Sequence, residues 1–215
     1  MDKQSLKALK RRIIDLSWKY KLSHVGSCLS ILPIILDKYK KMDSNDKFVN
    51  SSGHSHVAHA VVMEAFGRAD NVEKIWQRQG INIHCDRSQG CDVSTGSLGH
   101  GVGIALGMAL ANRNRTVYCT MTDGELAEGS CWEAFRIQKE QNVDNLLITV
   151  NVNGWGALGK INSMKLINQV EYMSRAQCEQ PAYPIEFDFP FLAGLQGHYH
   201  ALTEEEYKAS MLALQ

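Results

Sequence analysis

Asp123 and Asn153 lie thirty positions apart, each in a polar, Gly-containing loop that follows an apolar run rich in β-branched residues. A carboxylate and an amide oxygen on such loops suit a hard divalent cation such as Mg2+ carrying a phosphate ligand. That chemistry needs a fold that joins the two loops, and the intervening pattern supplies one. Residues 116–121 and 145–150 read as strands. Residues 128–141 between them have helix length, with Trp132, Phe135 and Ile137 as the main apolar side chains. Strand, helix and strand in this order give a βαβ unit with parallel strands. Both loops then leave carboxyl ends at one edge of the sheet. His54, His56 and His59 form a second group with metal-ligand chemistry. Their spacing lacks a matching fourth ligand, so no zinc cluster is expected there.

The rest of the chain must hold that edge in place. Leu6, Leu9, Ile13, Leu16 and Tyr20 make one apolar stripe on a helix over 4–22. The basic residues of 7–21 fall at helical spacing and read as its solvated face. After an interruption at 23–30, a second helix is expected over 30–41, with Ser30 as its N-cap and Pro33 in its first turn. A loop from Asp43 carries a short strand at 47–50. Helical patterns follow at 55–66 and 70–79, then an irregular stretch at 80–96. The next helix is expected to start with Ser97 as its cap. Its glycines at 99, 101, 103 and 107 weaken it and imply close approach of backbone to a neighbour or ligand. One helix is expected within 161–180 and an edge strand with two prolines at 183–192. A capping box, Thr203 with Glu206, opens a terminal helix. The expected fold class is a single α/β domain with a mainly parallel sheet.

Bulk properties exclude several classes. The 215 residues suffice for one domain with a sizeable core. Twenty-three basic and 23 acidic residues give zero net charge, which speaks against nucleic-acid and membrane partners. No stretch is long and apolar enough to span a bilayer, and the polar N-terminus lacks the apolar core of a secretion signal. Six cysteines without a CxxC pair read as reduced thiols in a cytoplasmic protein.

DGELAEGSCWEA followed by NVNGWG, with VSTGSLGHGVGIALGMALA upstream, resembles the transketolase form of the thiamine-diphosphate signature. SHVGSCLS, DKFVNSSGHS, His84 and FPFLAGLQGHYHALTEEEY extend the resemblance over nearly the whole chain. It implies the thiamine-diphosphate-binding fold, with helices on both faces of the sheet. Asp123, the Asn153 side chain and the Trp155 carbonyl would bind Mg2+ (or Ca2+). Gly124 would offer its N–H to the diphosphate, and Gly96 and Leu98 would lie along the rings of the cofactor. His24, His54, His84 and His198 match histidines around the diphosphate and sugar hydroxyls. Glu128 and Glu133 match acids between the two cofactor sites of the family's dimers. The chain departs from the usual pattern at Thr122 (usually Gly), at Cys85 (usually Pro) and at Val25, where Pro-Gly usually follows the histidine. Residues 161–188 form a shorter segment than in full-length transketolases.

The resemblance covers only a diphosphate-binding domain. It implies that the pyrimidine-binding domain, with its activating glutamate, resides on a C-terminal partner subunit in an α2β2 assembly. The implied reaction is transfer of a two-carbon ketol unit from a ketose to an aldose, the latter a modified or nucleotide-linked sugar. The alternatives are half of another thiamine enzyme, of deoxyxylulose-phosphate synthase or decarboxylase type, and a non-catalytic scaffold.

Overall fold

The computed structural model describes residues 3–179 and 188–215. Four parallel strands form the sheet in the order β1 (Lys47–Asn50), β2 (Val117–Thr122), β3 (Leu146–Asn151) and β6 (Gln177–Glu179). A two-residue hairpin, β4 (Trp155–Gly156) with β5 (Gly159–Lys160), rises from the loop after β3. The expected strands at 47–50, 116–121 and 145–150 and the helix at 128–141 all exist, the central ones shifted by a residue. β2 is buried along its whole length, as a strand covered on both faces must be.

Side chains alternate between the two faces of the sheet. Phe48 and Tyr118 join one core, formed with α1 (Lys3–Lys19), α2 (Val25–Lys41), α3 (His56–Ala65) and α4 (Val72–Gln79). Val49, Val117, Cys119 and Met121 join the other, formed with α5 (His100–Ala111), α6 (Gly129–Glu140) and α7 (Ser163–Met173). Helices therefore cover both faces of the sheet. Two short elements complete the chain, α8 (Gln196–Tyr199) and α9 (Glu204–Ala213). The capping box at Thr203 and Glu206 forms as expected.

Several expectations need correction. α2 starts at Val25, not near Ser30, because Val25, Cys28, Leu29 and Leu32 form a buried stripe continuous with the rest of the helix. Ser30 is therefore no cap: its hydroxyl donates to the Ser27 carbonyl (3.2 Å) and accepts from Asn151 Nδ2 (2.8 Å). Pro33 sits inside the helix, where it leaves the carbonyl four residues back without its usual donor. Ser97 does not cap α5. Gly99 does so from a left-handed conformation (φ 73°), which a glycine adopts without strain. The helix expected within 161–180 ends at Met173, and the segment then contributes strand β6. Of the edge strand expected at 183–192, residues 183–187 lie outside the described residues and Pro190–Leu192 form a 3-10 turn.

Candidate active site at the carboxyl edge of the sheet

The loops after β1, β2 and β3 meet at the carboxyl edge. Asp123 opens the 3-10 turn Asp123–Ala127 that follows β2. Its side chain is buried, and Oδ2 accepts from the Gly154 N–H (2.8 Å) and the Ser163 hydroxyl (2.7 Å). The two loops predicted to converge are thus bonded to each other. Asn153 Oδ1 accepts from the Trp155 N–H at 2.9 Å, so this amide also shapes its own turn. Gly124 packs against the same turn. A Cβ added there would stand 3.1 Å from the Trp155 carbonyl oxygen and 3.2 Å from Gly156 Cα.

Asp123 Oδ1 is buried without a hydrogen-bond partner among the described residues. Burial raises the pKa of this carboxyl above its ordinary value, against the hydrogen bonds from Ser163 and Gly154 that lower it. A cation beside Oδ1 would supply the missing partner. With the Asn153 amide oxygen and the Trp155 carbonyl in the neighbouring loop, the residues present fit a hard divalent ion with a phosphate ligand.

Glu125 holds the turn, a role the sequence reading did not assign. Fully buried, its carboxylate accepts from the Ser51 hydroxyl (2.5 Å), the Gly99 N–H (3.1 Å) and the Thr122 N–H (3.0 Å). It ties the ends of β1 and β2 to the start of α5. Burial pushes its pKa up to about 7, with those hydrogen bonds opposing. The signal was present: Thr122-Asp-Gly-Glu125 matches the capping-box pattern Ser/Thr-x-x-Glu.

A cavity of about 190 Å3 opens beside this turn. Its walls include His24, His54, His84, Gly96, Leu98, Thr122, Gly124, Trp155 and His198, which joins most of the predicted site residues. Tyr199 also lines it, and its hydroxyl donates to the Ala157 carbonyl at 2.8 Å. The rings of His24, His54 and His198 form a triangle with centroids 5.3, 5.8 and 6.0 Å apart. Different elements deliver them. His24 precedes α2 in a left-handed conformation (φ 64°), strained for a residue with a side chain. His54 sits in the 3-10 turn Gly53–Ser55, and His198 in α8. α8 reaches the site because Gly26 and Gly197 let the backbones touch: a Cβ on Gly26 would lie 2.6 Å from Gly197 Cα. The His24 N–H donates to the His198 carbonyl at 2.8 Å. His84 lies on Gly96, where a Cβ would meet its ring at 3.2 Å.

Burial lowers the pKa of all four imidazoles, to about 4 for His24 and about 3 for His54, and neighbouring histidines add to the effect in every one but His198. At neutral pH the cavity therefore presents uncharged rings, each able to donate one hydrogen bond and accept another. Glu128 and Glu133 do not line it. Both are exposed, on and beside the first turns of α6.

A family model described as 1-deoxy-D-xylulose-5-phosphate synthase matches residues 2–182. Transketolase-like protein 2 of Mus musculus is 37% identical over 159 residues, 63% of this chain and 25% of that protein. One of the subunits of the apulose-4-phosphate transketolase of Phocaeicola vulgatus is 30% identical over 162 residues, 67% of this chain and 58% of its own length. A transketolase variant from Pichia stipitis superposes with a TM-score of 0.78 at 18% identity, covering 98% of this chain and 40% of that one. The chain thus spans about a quarter of the length of the mouse relative, and it shares the fold of the solved transketolases.

Proposed function

The chain belongs to the family of thiamine-diphosphate-binding domains found in 1-deoxy-D-xylulose-5-phosphate synthases and transketolases, and from that premise we propose that it is the diphosphate-binding half of a transketolase. It transfers a two-carbon ketol unit from a ketose donor to an aldose acceptor. The observation that carries this reading is the group of four neutral histidines in one cavity with the Asp123–Gly124 turn. Several uncharged imidazoles suit a polyhydroxylated substrate better than a small keto acid.

Thiamine diphosphate, when bound, supplies the electron sink on which the ketose carbon–carbon bond is broken and remade. The protein's part is positioning and proton handling. Asp123, Asn153 and the Trp155 carbonyl would hold Mg2+. Gly124, whose missing side chain admits the Trp155–Gly156 turn, would offer its N–H to the diphosphate, and Gly96 and Leu98 would lie along the rings. His24, His54 and His84 hydrogen-bond the donor's hydroxyls and the charge that develops beside them. His198 moves a proton at the acceptor oxygen. Glu128 and Glu133 face a neighbouring cofactor site across the boundary between protomers.

The cavity is smaller than the roughly 300–1,000 Å3 of complete small-molecule sites, as expected of one wall of a site. Similarity to one polypeptide of a transketolase built from named subunits supports a partner chain; that this partner carries the pyrimidine-binding domain, in an α2β2 assembly, is part of the same proposal. The acceptor is a modified or nucleotide-linked sugar, a reading that rests on the short segment 161–188.

Mixing the chain with a pyrimidine-binding half, thiamine diphosphate, Mg2+ and a ketose donor tests the proposal. Turnover should need both polypeptides; full turnover by this chain alone overturns the split arrangement. The matching family model favours a second reading, a deoxyxylulose-phosphate synthase half. Release of CO2 from pyruvate by the assembled enzyme would favour that reading, or a decarboxylase, over a transketolase. Failure of cofactor and Mg2+ to raise thermal stability, even with the partner present, would point to a scaffold.

A further inference from the structure

α3 carries two histidines three residues apart, a spacing that places both rings on one helix face. The irregular segment after α4 brings Cys85 and Cys91 back against that face. One ligand atom from each of His56, His59, Cys85 and Cys91 lies within 4.8 Å of every other. Cys91 Sγ is 3.7 Å from His56 Nδ1 and 3.8 Å from His59 Nδ1, and Cys85 Sγ is 3.7 Å from His59 Nδ1. A tetrahedral zinc with ordinary Zn–S and Zn–N bonds has sulfur–nitrogen edges of roughly 3.6 Å. All four residues are almost fully buried, with exposures of 1 to 5%.

The outer nitrogens of both rings are already held. His59 Nε2 contacts the buried Tyr39 hydroxyl at 2.7 Å. His56 Nε2 lies 3.3 Å from Gln89 Oε1. Gln89 donates its own amide to the Gly80 carbonyl (3.2 Å), so its oxygen is left to accept from His56 Nε2. That assigns the proton to Nε2 and leaves His56 Nδ1 as the lone-pair nitrogen facing the thiols. Outer-sphere partners of this kind orient metal-bound histidines.

We propose that His56, His59, Cys85 and Cys91 bind a structural zinc ion through two Nδ1 atoms and two thiolates. The donor set is soft to borderline and uses all four tetrahedral positions, which suits Zn2+ and leaves no open position for catalysis. His54, grouped with His56 and His59 on sequence grounds, faces the site cavity and is not a ligand. The missing partners were Cys85 and Cys91, too far along the chain and too widely spaced to recognise as a zinc pair. The zinc fastens the segment between α4 and α5 to α3. Cys85 adjoins His84, and the Thr95 N–H donates to the Cys85 carbonyl at 3.0 Å. The ion thereby sets the place of His84 and Gly96 in the neighbouring cavity without touching a ligand there.

The test uses the full, untagged chain without thiamine diphosphate or Mg2+, so that failure of the transketolase reading leaves its outcome unchanged. Elemental analysis should find about one zinc per chain. Cobalt substitution should give the intense visible bands of a tetrahedral site and thiolate-to-cobalt charge transfer. Cys85→Ser and Cys91→Ser should lose the metal, while Cys178→Ser, outside the cluster, should keep it. Chelation should lower the melting temperature of the unmodified chain. Should the serine variants fail to fold, the cobalt spectrum of the unmodified chain decides. Protein that purifies without zinc and takes up none, or that holds a Cys85–Cys91 disulfide, overturns the proposal.

Discussion

His24 is half-buried as a neutral ring among His54, His84, His198 and Tyr199. Its folded pKa, about 4, lies below the ordinary value of 6.5. The contribution of the neutral ring to stability is therefore present above pH 6.5 and is lost as pH falls towards 4. Melting temperature should decline across that window, and His24→Gln should make the decline shallower; an unchanged slope would assign it to other groups. At Asp123 the proposed cation role gives a graded expectation. Asp123→Asn should abolish the thermal shift produced by Mg2+ with thiamine diphosphate. Ser163→Ala, which removes the 2.7 Å hydrogen bond to Oδ2, should weaken Mg2+ binding about tenfold in a calorimetric titration, the usual scale for a partner that orients a ligand. Asp123 and Asn153 were legible because each follows a β-branched run with a glycine beside it. Glu125 was missed because its partners, Ser51 and Gly99, come from other elements, although its capping pattern was in view.

Helix and strand positions were legible where periodicity was strong and failed where tertiary contacts decide. β2 and β3 announce themselves by apolar, β-branched runs. β6 does not: Gln177–Glu179 is too short and polar to stand out, and it exists because Thr149, Val150 and Asn151 offer it a parallel partner. The ion pair from Lys38 Nζ to Glu179 Oε1, at 2.9 Å, also joins it to α2. The glycines of α5 divide in the same way. Gly101 meets Ser51, where a Cβ would lie 2.5 Å from Cα, whereas Gly103 and Gly107 have no neighbour within 4 Å. Close approach was thus inferred correctly for one turn of the helix and not for the rest. The contact between α2 and α8 gives the clearest element-level test. Gly26→Ala places a methyl group 2.6 Å from Gly197 Cα and 3.0 Å from the Gly197 carbonyl oxygen. Backbone cannot yield as a side chain can, so a loss of about 1–3 kcal/mol is expected in urea unfolding. Displaced His198 should raise KM for the acceptor more than for the donor.

At the scale of the whole molecule, the surface beside the cavity bears on the proposed assembly. Leu158, at the tip of the β4–β5 hairpin, is 96% exposed and adjoins Ala157 of the cavity wall. Tyr199, also in that wall, is more than half exposed. If a pyrimidine-binding subunit closes the site, it must cover this rim. Burying a leucine contributes about 1.5–3 kcal/mol, so Leu158→Glu should weaken pairing of the two polypeptides about ten- to hundredfold in sedimentation or calorimetry, with the melting temperature of the free chain unchanged. No helix among the described residues is long and apolar enough to cross a membrane. The hydrogen bond from His24 to the His198 carbonyl has a further meaning in the time domain. Its partners stand near opposite ends of the sequence, and the loop between them must close before either ring has its neighbour. The sheet can assemble from segments closer in sequence, so the histidine triangle belongs to the last, most non-local contacts of folding. A newly made chain would hold the Asp123–Gly124 turn before it holds the three rings together.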